Sequence, residues 1–98
     1  MKSEEVAEKW VLRLYVAGMN LTARRALANV QRICEEHLSG RYTLVVIDLL
    51  EQPALAEGDQ ILAVPTLVRE LPPPLRKIIG DLSNTQRVLV GLDLRTLE

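Results

Sequence analysis

The strongest constraint on the fold is a predicted strand, long helix and strand in immediate succession. Residues 9–17, KWVLRLYVA, alternate between two faces as a strand does. Residues 21–40, LTARRALANVQRICEEHLSG, place their apolar side chains at helical spacing. The β-branched run YTLVVIDLL at 42–50 predicts a strand covered on both faces. Together these segments predict a β-α-β unit with parallel strands and a right-handed crossover.

The predicted helix has recognisable ends. Gly18 closes the first strand, and either Asn20 or Thr22 is suited to cap the helix, because their side chains accept hydrogen bonds from its free N–H groups. Gly40 stands where a residue with positive φ commonly ends a helix. The predicted apolar face consists of Ala23, Ala26, Leu27, Val30, Ile33, Cys34, His37 and Leu38.

The second half of the chain gives weaker signals. A proline before a short apolar stretch favours the start of a helix, and the residue before a proline is held extended. The predicted features are, in order, a short helix with Pro53 at its first position and interrupted by Gly58, extended backbone at Val64 before Pro65, a strand at 66–71, a rigid connection at 72–74 and a strand at 75–82.

Residues 83–94, SNTQRVLVGLDL, carry two incompatible signals. Ser83 and Gln86 have the spacing of a capping box, which predicts a helix. Val88 and the residues after it alternate as in a strand. The chain is therefore predicted to be an α/β protein with an N-terminal β-α-β half and two possible C-terminal halves. One is the strand, helix, strand, helix, hairpin, helix order of a thioredoxin-like domain; the other ends in a strand, with the middle of the second half helical.

Composition excludes several classes of function. The 98 residues suit one domain, predicted at 9–98 after a solvated lead-in at 1–8. A formal net charge of −1 gives no long-range attraction to nucleic acid or anionic lipid. No apolar run approaches the roughly 20 residues that span a bilayer, and no signal peptide is recognisable. We therefore expect a cytoplasmic protein with neither nucleic-acid nor membrane partners.

Catalytic patterns are missing as well. A thiol–disulfide enzyme needs a cysteine at the start of the first helix, whereas Cys34 lies three turns further on and is predicted to be a buried core residue. A reactive Cys34 is the rival interpretation. One histidine, His37, and one cysteine exclude a zinc site of the usual composition. We predict turn and capping roles for the scattered acids Asp48, Asp59, Asp81 and Asp93, and no enzymatic activity.

Four stretches carry a family resemblance. They are LRLYVAG at 12–18, RAL at 25–27, VIDLLEQPALAEGDQILAVPTL at 46–67 and LPPPLRKIIGDLSNTQRVLVGLDL at 71–94. These closely resemble the KaiB family of circadian clock proteins. The resemblance implies a non-enzymatic protein without a cofactor, which binds the N-terminal ATPase ring of KaiC and modulates its phosphorylation cycle. In cyanobacteria the complex also captures KaiA and displaces or recruits output histidine kinases.

The resemblance also implies two folds for one sequence. KaiB proteins form a ground-state tetramer with one C-terminal arrangement, and a rare thioredoxin-like monomer that binds KaiC. The residues that match or govern this switch here are Ser83, Gln86, Gly91 and Asp93, and Pro65 matches the cis-proline of thioredoxin-like domains. A capping box favours the helix by about 1 kcal/mol and an interior glycine costs roughly as much. We therefore expect packing and oligomer contacts, in a dimer or tetramer, to decide.

By family correspondence, four basic residues match positions that contact KaiC. They are Arg25, Arg69, Arg76 and Lys77. Residues 45–48 match the neighbourhood that meets KaiA. The turn GMNLTARRAL departs from the usual Gly-Asn-Thr-Pro-Asn-Ser type, which implies a non-cyanobacterial or secondary KaiB. For such a copy KaiC remains the expected partner and KaiA capture is in doubt. The alternative is a KaiB-like adaptor in stress adaptation or signalling, acting without a rhythm.

Overall fold

A computed structural model describes residues 9–94, so the predicted lead-in at 1–8 and the last four residues lie outside the described part. The elements follow the strand, helix, strand, helix, hairpin, helix order, which is one of the two predicted arrangements. They are β1 (Trp10–Val16), α1 (Leu21–His37), β2 (Tyr42–Asp48), α2 (Ala54–Gly58), β3 (Thr66–Leu71), β4 (Arg76–Ile79) and α3 (Thr85–Gly91).

The four strands form one mixed sheet in the order β2-β1-β3-β4. β1 and β2 are parallel, which confirms the prediction, and Leu12 pairs with Leu44 in their register. β3 runs antiparallel to both β1 and β4, and its Arg69 lies opposite Arg76. This is the thioredoxin-like arrangement, in which the ambiguous last stretch is helical.

One face of the sheet carries the main core. Alternate β1 side chains, from Trp10 to Val16, pack beneath α1 and α3 because successive strand residues point to opposite faces. Leu12 and Leu14 are fully buried, and each such burial stabilises a fold by about 1.5–3 kcal/mol. The other face has a smaller cluster beside α2, made of Tyr15, Ile47, Ile61 and Val68, with Leu49 and Leu55 packed against it.

Helix α1 begins at its predicted place. The Asn20 side chain accepts a hydrogen bond from the Ala23 N–H at 2.9 Å, so Asn20, not Thr22, is the N-cap. At the other end the Leu38 N–H donates to the Cys34 carbonyl. Gly40 has φ +77°, the conformation for which glycine is suited after a helix.

The prediction that β2 is covered on both faces is wrong. β2 is an edge strand, and Val45 and Val46 are exposed while Ile47 is buried. The apolar run correctly indicated a strand. Its exposure follows from the order of strands in the sheet, which the run itself does not contain.

Two helix starts also differ from prediction. Pro53 is the N-cap of α2, not its first helical residue. At α3 the capping box at Ser83 is wrong, because the N-cap is Asn84, whose side chain accepts from the Arg87 N–H at 3.0 Å. Ser83 instead donates its backbone N–H to the Asp81 carboxylate at 3.1 Å. The neighbouring residue performs the capping, so the predicted helix forms one residue later.

Three further features complete the frame of the candidate site. The peptide bond between Val64 and Pro65 is cis. Gly91 is the last residue of α3, and Asp93 beyond it has φ +55°.

Within residues 9–94 no helix is long and apolar enough to cross a bilayer.

Candidate protein-binding surface

The turn between β1 and α1 occupies the place where a thioredoxin would hold its reactive cysteines. A pocket of about 220 Å³ separates this turn from the cis peptide, with Asn20, Val64 and Pro65 among its lining residues. Met19 on the turn and Leu21, the first residue of α1, are exposed apolar side chains. The turn therefore offers apolar contact area and no thiol.

Cys34 lies in the main core, as predicted, and is 1% exposed. Burial, with a smaller contribution from the charge of Glu35, raises the pKa of its thiol to about 12. A thiol held protonated and out of contact with solvent is neither a nucleophile nor a metal ligand at neutral pH. The prediction that Cys34 is a buried core residue is confirmed.

Arg69, one of the four basic residues expected to contact KaiC, is buried in this fold, and its contact with a partner stays a prediction. Its residue exposure is 3%, because Arg69 follows Leu67 on the core face of β3. The guanidinium donates one hydrogen bond to the Leu92 carbonyl and another, of 2.9 Å, to the Pro74 carbonyl. It also lies over the Trp10 ring, 5.2 Å from the centroid. The Arg69 side chain therefore links the start of β1, the connection between β3 and β4 and the residue after α3.

Arg76 and Lys77 are both exposed, but adjacent strand residues point to opposite faces of the sheet. The Lys77 ammonium donates to the Asp59 and Gln60 carbonyls, at 3.0 and 2.9 Å, and so satisfies backbone acceptors beyond the end of α2. Arg76 has the same strand parity as the buried Ile78 and so belongs to the α3 side. The predicted basic residues are therefore divided between the two faces.

Arg25 is exposed on α1, close to the turn that leads into α3. The pKa of Asp81 in that turn is lowered, chiefly by hydrogen bonds from Ser83 and also by the charge of Arg25. Further along α1, the Asn29 amide donates to the Asp81 carbonyl at 3.0 Å, and Arg32 donates to the Thr85 hydroxyl at 3.2 Å. Arg32 was not predicted, although helical spacing places positions 25, 29 and 32 on one side of α1.

A polar cluster on the α2 face was also not predicted. Arg13 forms an ion pair with Glu70 at 2.8 Å and a longer one with Asp59 at 3.6 Å. The Tyr15 hydroxyl donates to Asp59 at 2.6 Å, and burial first, then this hydrogen bond, raises the pKa of Tyr15. The groups line a pocket of about 300 Å³. Alternation along β1 places Arg13 and Tyr15 on one face, but only the sheet register brings Glu70 beside them.

The outer edge of β4 adds an apolar groove of about 710 Å³. Leu62 is 95% exposed and Ile79 52% exposed at its sides, with Lys77 at one end. β4 is an edge strand, so half of its backbone hydrogen-bonding groups face outward. Among residues 9–94 there is no cluster of side chains suited to a metal ion. The exposed edge strand beside the apolar groove is a candidate surface for binding another protein.

Comparison with known proteins decides the family. The KaiB domain family matches residues 13–94. The chain belongs to the KaiB family. It is 58% identical over 85 residues to the circadian clock oscillator protein KaiB of Microcystis aeruginosa, covering 87% of this chain and 82% of that one. It is 52% identical over 84 residues to the circadian clock protein KaiB3 of Synechocystis sp., covering 86% and 82%.

Solved structures agree on the fold of this KaiB family member. The N-terminal domain of Synechococcus elongatus SasA superposes with a TM-score of 0.73 at 20% identity, over 100% of this chain and 96% of that domain. Mitochondrial thioredoxin 3 of Saccharomyces cerevisiae gives 0.68 at 20% identity, over 88% and 78%. At these identities the likeness shows the thioredoxin-like fold alone. The predicted fold class and family are both confirmed.

Proposed function

We propose that this protein is a non-enzymatic clock regulator that binds a KaiC-type ATPase ring in its thioredoxin-like form. The observation that carries the proposal is the KaiB domain match across 13–94, which includes every element described from β2 to α3. The arrangement supports it, because the turn that would carry redox chemistry has no thiol and Cys34 is buried.

The basic residues define where we expect contact with the ATPase. Arg25 and Arg76 are exposed and free to meet an acidic surface, and Lys77 is exposed but also bonded to two carbonyls of its own chain. Arg69 is buried, so its influence on binding must pass through the groups that it holds. If KaiA is present in the host, the exposed edge at Val45 is the surface that we expect it to meet.

We also propose that the C-terminal half exchanges with a second arrangement that assembles as a homo-oligomer. In the helical form Val90 is 77% exposed, while Val88 and Leu92 are buried. In a strand these residues would share one face, so an alternative sheet could bury Val90 as well. Two packings of one sequence coexist when they differ by only a few kcal/mol. The helical form leaves the apolar side chain of Val90 exposed, and the second arrangement could bury it.

The test is a time-resolved binding assay with the KaiC of the same host. We expect slow association whose delay lengthens at higher concentration of this protein, because an oligomer withholds the competent monomer. Rapid association, with no minor conformer detectable by NMR, would contradict fold exchange. Failure to bind KaiC under any condition would contradict the proposed partner and favour the adaptor that acts without a rhythm.

A Cys34→Ser variant is the control for the rival thiol interpretation. Its side chain is close in size to the original and cannot form a disulfide. We expect KaiC binding to be retained. A loss of binding without a loss of folded structure would point to chemistry at this thiol.

A further inference from the structure

The guanidinium of Arg69 joins segments that are distant in sequence. Its two hydrogen-bond acceptors are the carbonyl of Leu92, directly after α3, and that of Pro74 in the connection between β3 and β4. Its third neighbour is the Trp10 ring at the start of β1. A single side chain therefore touches the first strand, the proline connection and the last helix.

The chemistry suits an arginine better than any other side chain. A planar guanidinium donates in several fixed directions at once, whereas an ammonium is a compact charge on a flexible stem. Leu92 lies at the negative end of α3, where a cation is favoured. An aromatic face attracts a cation as well. Two carbonyls and a ring thus meet one group in the geometry that it prefers.

Burial of this charge has a cost that the contacts must offset. Arg69 is 3% exposed, and no acceptor among the described residues lies within hydrogen-bonding distance of its Nε. A buried cation with an unused donor contributes little to stability compared with an apolar side chain of similar size. The arrangement is better suited to holding particular segments in place than to general stabilisation.

Helix α3 needs contacts with the rest of the protein to stay in place. It has seven residues, and helices of that length are not stable in isolation. Apart from Arg69, its attachments are buried Val88 and Leu92, Leu89 packed partly buried against the core, the approach of Gly91 to Ile78 and the hydrogen bond from Arg32 to Thr85. Helix α1, by contrast, has seventeen residues and five buried side chains.

We propose that Arg69 is a positioning residue that fastens α3 and the proline connection to β1, and that it acts on partner binding only through their placement. The second clause rests on the proposed function, whereas the first concerns the isolated protein. Removing the guanidinium releases α3 locally and leaves the β-α-β half intact.

The test compares Arg69→Met with Arg76→Met by amide hydrogen exchange. The two arginines are register partners, but only Arg69 is buried. In Arg69→Met we expect the amides of Leu92 and Leu94 to exchange about ten- to a hundredfold faster, while α1 amides change much less. In Arg76→Met both sets are expected to exchange as in the wild type. An equal rise in α1 and α3 would overturn the proposal, as would no rise.

Two measurements cover the case in which Arg69→Met does not fold. Arg69→Lys keeps the positive charge and the aliphatic part of the side chain but loses the planar guanidinium. We therefore expect its α3 amides to exchange at rates between those of the wild type and those of Arg69→Met. In the unmodified protein, the Arg69 guanidinium protons are expected as separate, slowly exchanging NMR signals. Guanidinium signals averaged as for a solvated arginine would contradict the hydrogen bonds from Arg69 to the two carbonyls.

KaiC binding then separates this inference from the proposed function. If wild type binds and Arg69→Met binds more weakly in proportion to its open fraction, the placement role is supported. If Arg69→Met binds weakly while α3 exchange is unchanged, Arg69 is a direct contact and the inference fails. If wild type does not bind KaiC, the proposed function fails, and the exchange result still decides the role of Arg69.

Discussion

Gly91 lies so close to Ile78 that a Cβ atom at position 91 would be 2.8 Å from both Cγ1 and Cδ1 of the isoleucine. Real Cβ atoms do not approach other carbons this closely, so any larger residue at the end of α3 must displace the side chain of β4. Gly91 is the last residue of α3, and it is not one of the glycines with a positive φ. The structure therefore requires glycine here for close approach and not for backbone freedom.

The first prediction concerns coupling between these residues. Gly91→Ala gains less than the about 1 kcal/mol of helix propensity that applies in a helix interior, because Gly91 is the last residue of α3, and the new methyl group presses on Ile78. Ile78→Val removes Cδ1 and leaves room for the shorter side chain to turn away. We expect the double variant to be more stable than the two single changes predict, with a coupling of about 0.5–1 kcal/mol. Denaturant unfolding of the four proteins measures this, and additive effects would show that the contact has no energetic weight.

The second prediction concerns the proposed exchange between folds. Gly91→Ala favours a helix, and Asp93→Arg replaces an anion near the negative end of α3 with a cation, worth a few tenths to about 1 kcal/mol. We expect the pair to shift the population toward the thioredoxin-like monomer, less far than propensity alone allows because of Ile78.

Size-exclusion chromatography and NMR measure this shift. Gly58→Ala is the comparison for a helical glycine outside α3, since no atom lies within 4 Å of a Cβ added there. An unchanged distribution between oligomer and monomer in the double variant would count against fold exchange at these positions.

The N-terminal half was predictable because its signals are local. Strand alternation, helical spacing and the Asn20 cap all lie within a few residues of the structure they specify. Residues 83–94 are different, since their local preferences nearly cancel. In the helical form Gly91 contacts Ile78 and Arg69 donates to the Leu92 carbonyl, and both contacts join residues from different elements. Neither contact is visible before the strands are placed.

The candidate surface was predictable only in part. A basic side chain is ordinarily exposed, and those of Arg25 and Arg76 are. Arg69 has the same charge but shares strand parity with buried Leu67, which was the available sign that it faces the core. The pairing of Arg13 with Glu70 depends on sheet register, which composition and spacing do not reveal.

The third prediction compares two tyrosines that donate to carboxylates. Tyr15 donates to Asp59 at 2.6 Å from within a core cluster, and Tyr42 donates to Glu35 at 2.7 Å on the surface. We expect Tyr15→Phe to lower the free energy of unfolding by about 1–2 kcal/mol. Tyr42→Phe is the control, with an expected change below about 0.5 kcal/mol. Equal losses of unfolding free energy in the two variants would show that burial does not strengthen the hydrogen bond from Tyr15 to Asp59.

The pKa of Tyr15 adds a pH dependence to this comparison. Burial and the bond to Asp59 raise it above its ordinary value of 10.0, so the folded state holds the phenolic proton more tightly than the unfolded chain. The resulting stability is fully present below pH 10 and is lost as the pH rises past it. The difference between wild type and Tyr15→Phe is therefore expected to shrink at alkaline pH in unfolding experiments. A difference that grows there would reverse the assigned direction.

The fourth prediction concerns the reactivity of Cys34. With its pKa raised from 9.0 to about 12 and its side chain buried, alkylation at pH 8 is expected to proceed only through unfolding or local opening. Stability from the protonated thiol is present below pH 9 and is lost as the pH rises toward 12. The matched control is Met19→Cys with Cys34→Ser, which places a thiol on the exposed turn before α1. Comparable labelling rates for the two proteins would contradict the inert role.

The fifth prediction tests the basic contact on α1. Arg24 and Arg25 are adjacent and exposed, but only Arg25 acts on the charge of Asp81, and only Arg25 is proposed to contact KaiC. We expect Arg25→Glu to slow association with KaiC by about five- to tenfold at low salt, because charges at the rim of an interface act mainly on the association rate. Arg24→Glu has the same change in net charge and is expected to have a smaller effect.

Salt separates a specific contact from general repulsion. At about 1 M salt the Debye length falls to roughly 3 Å, so the loss caused by long-range charge is expected to disappear from both variants. A deficit that persists only in Arg25→Glu indicates direct contact between the guanidinium and the partner. Equal deficits in the two variants at low salt, both abolished at high salt, would mean that Arg25 contributes only to the overall field of the protein and that the contact surface lies elsewhere.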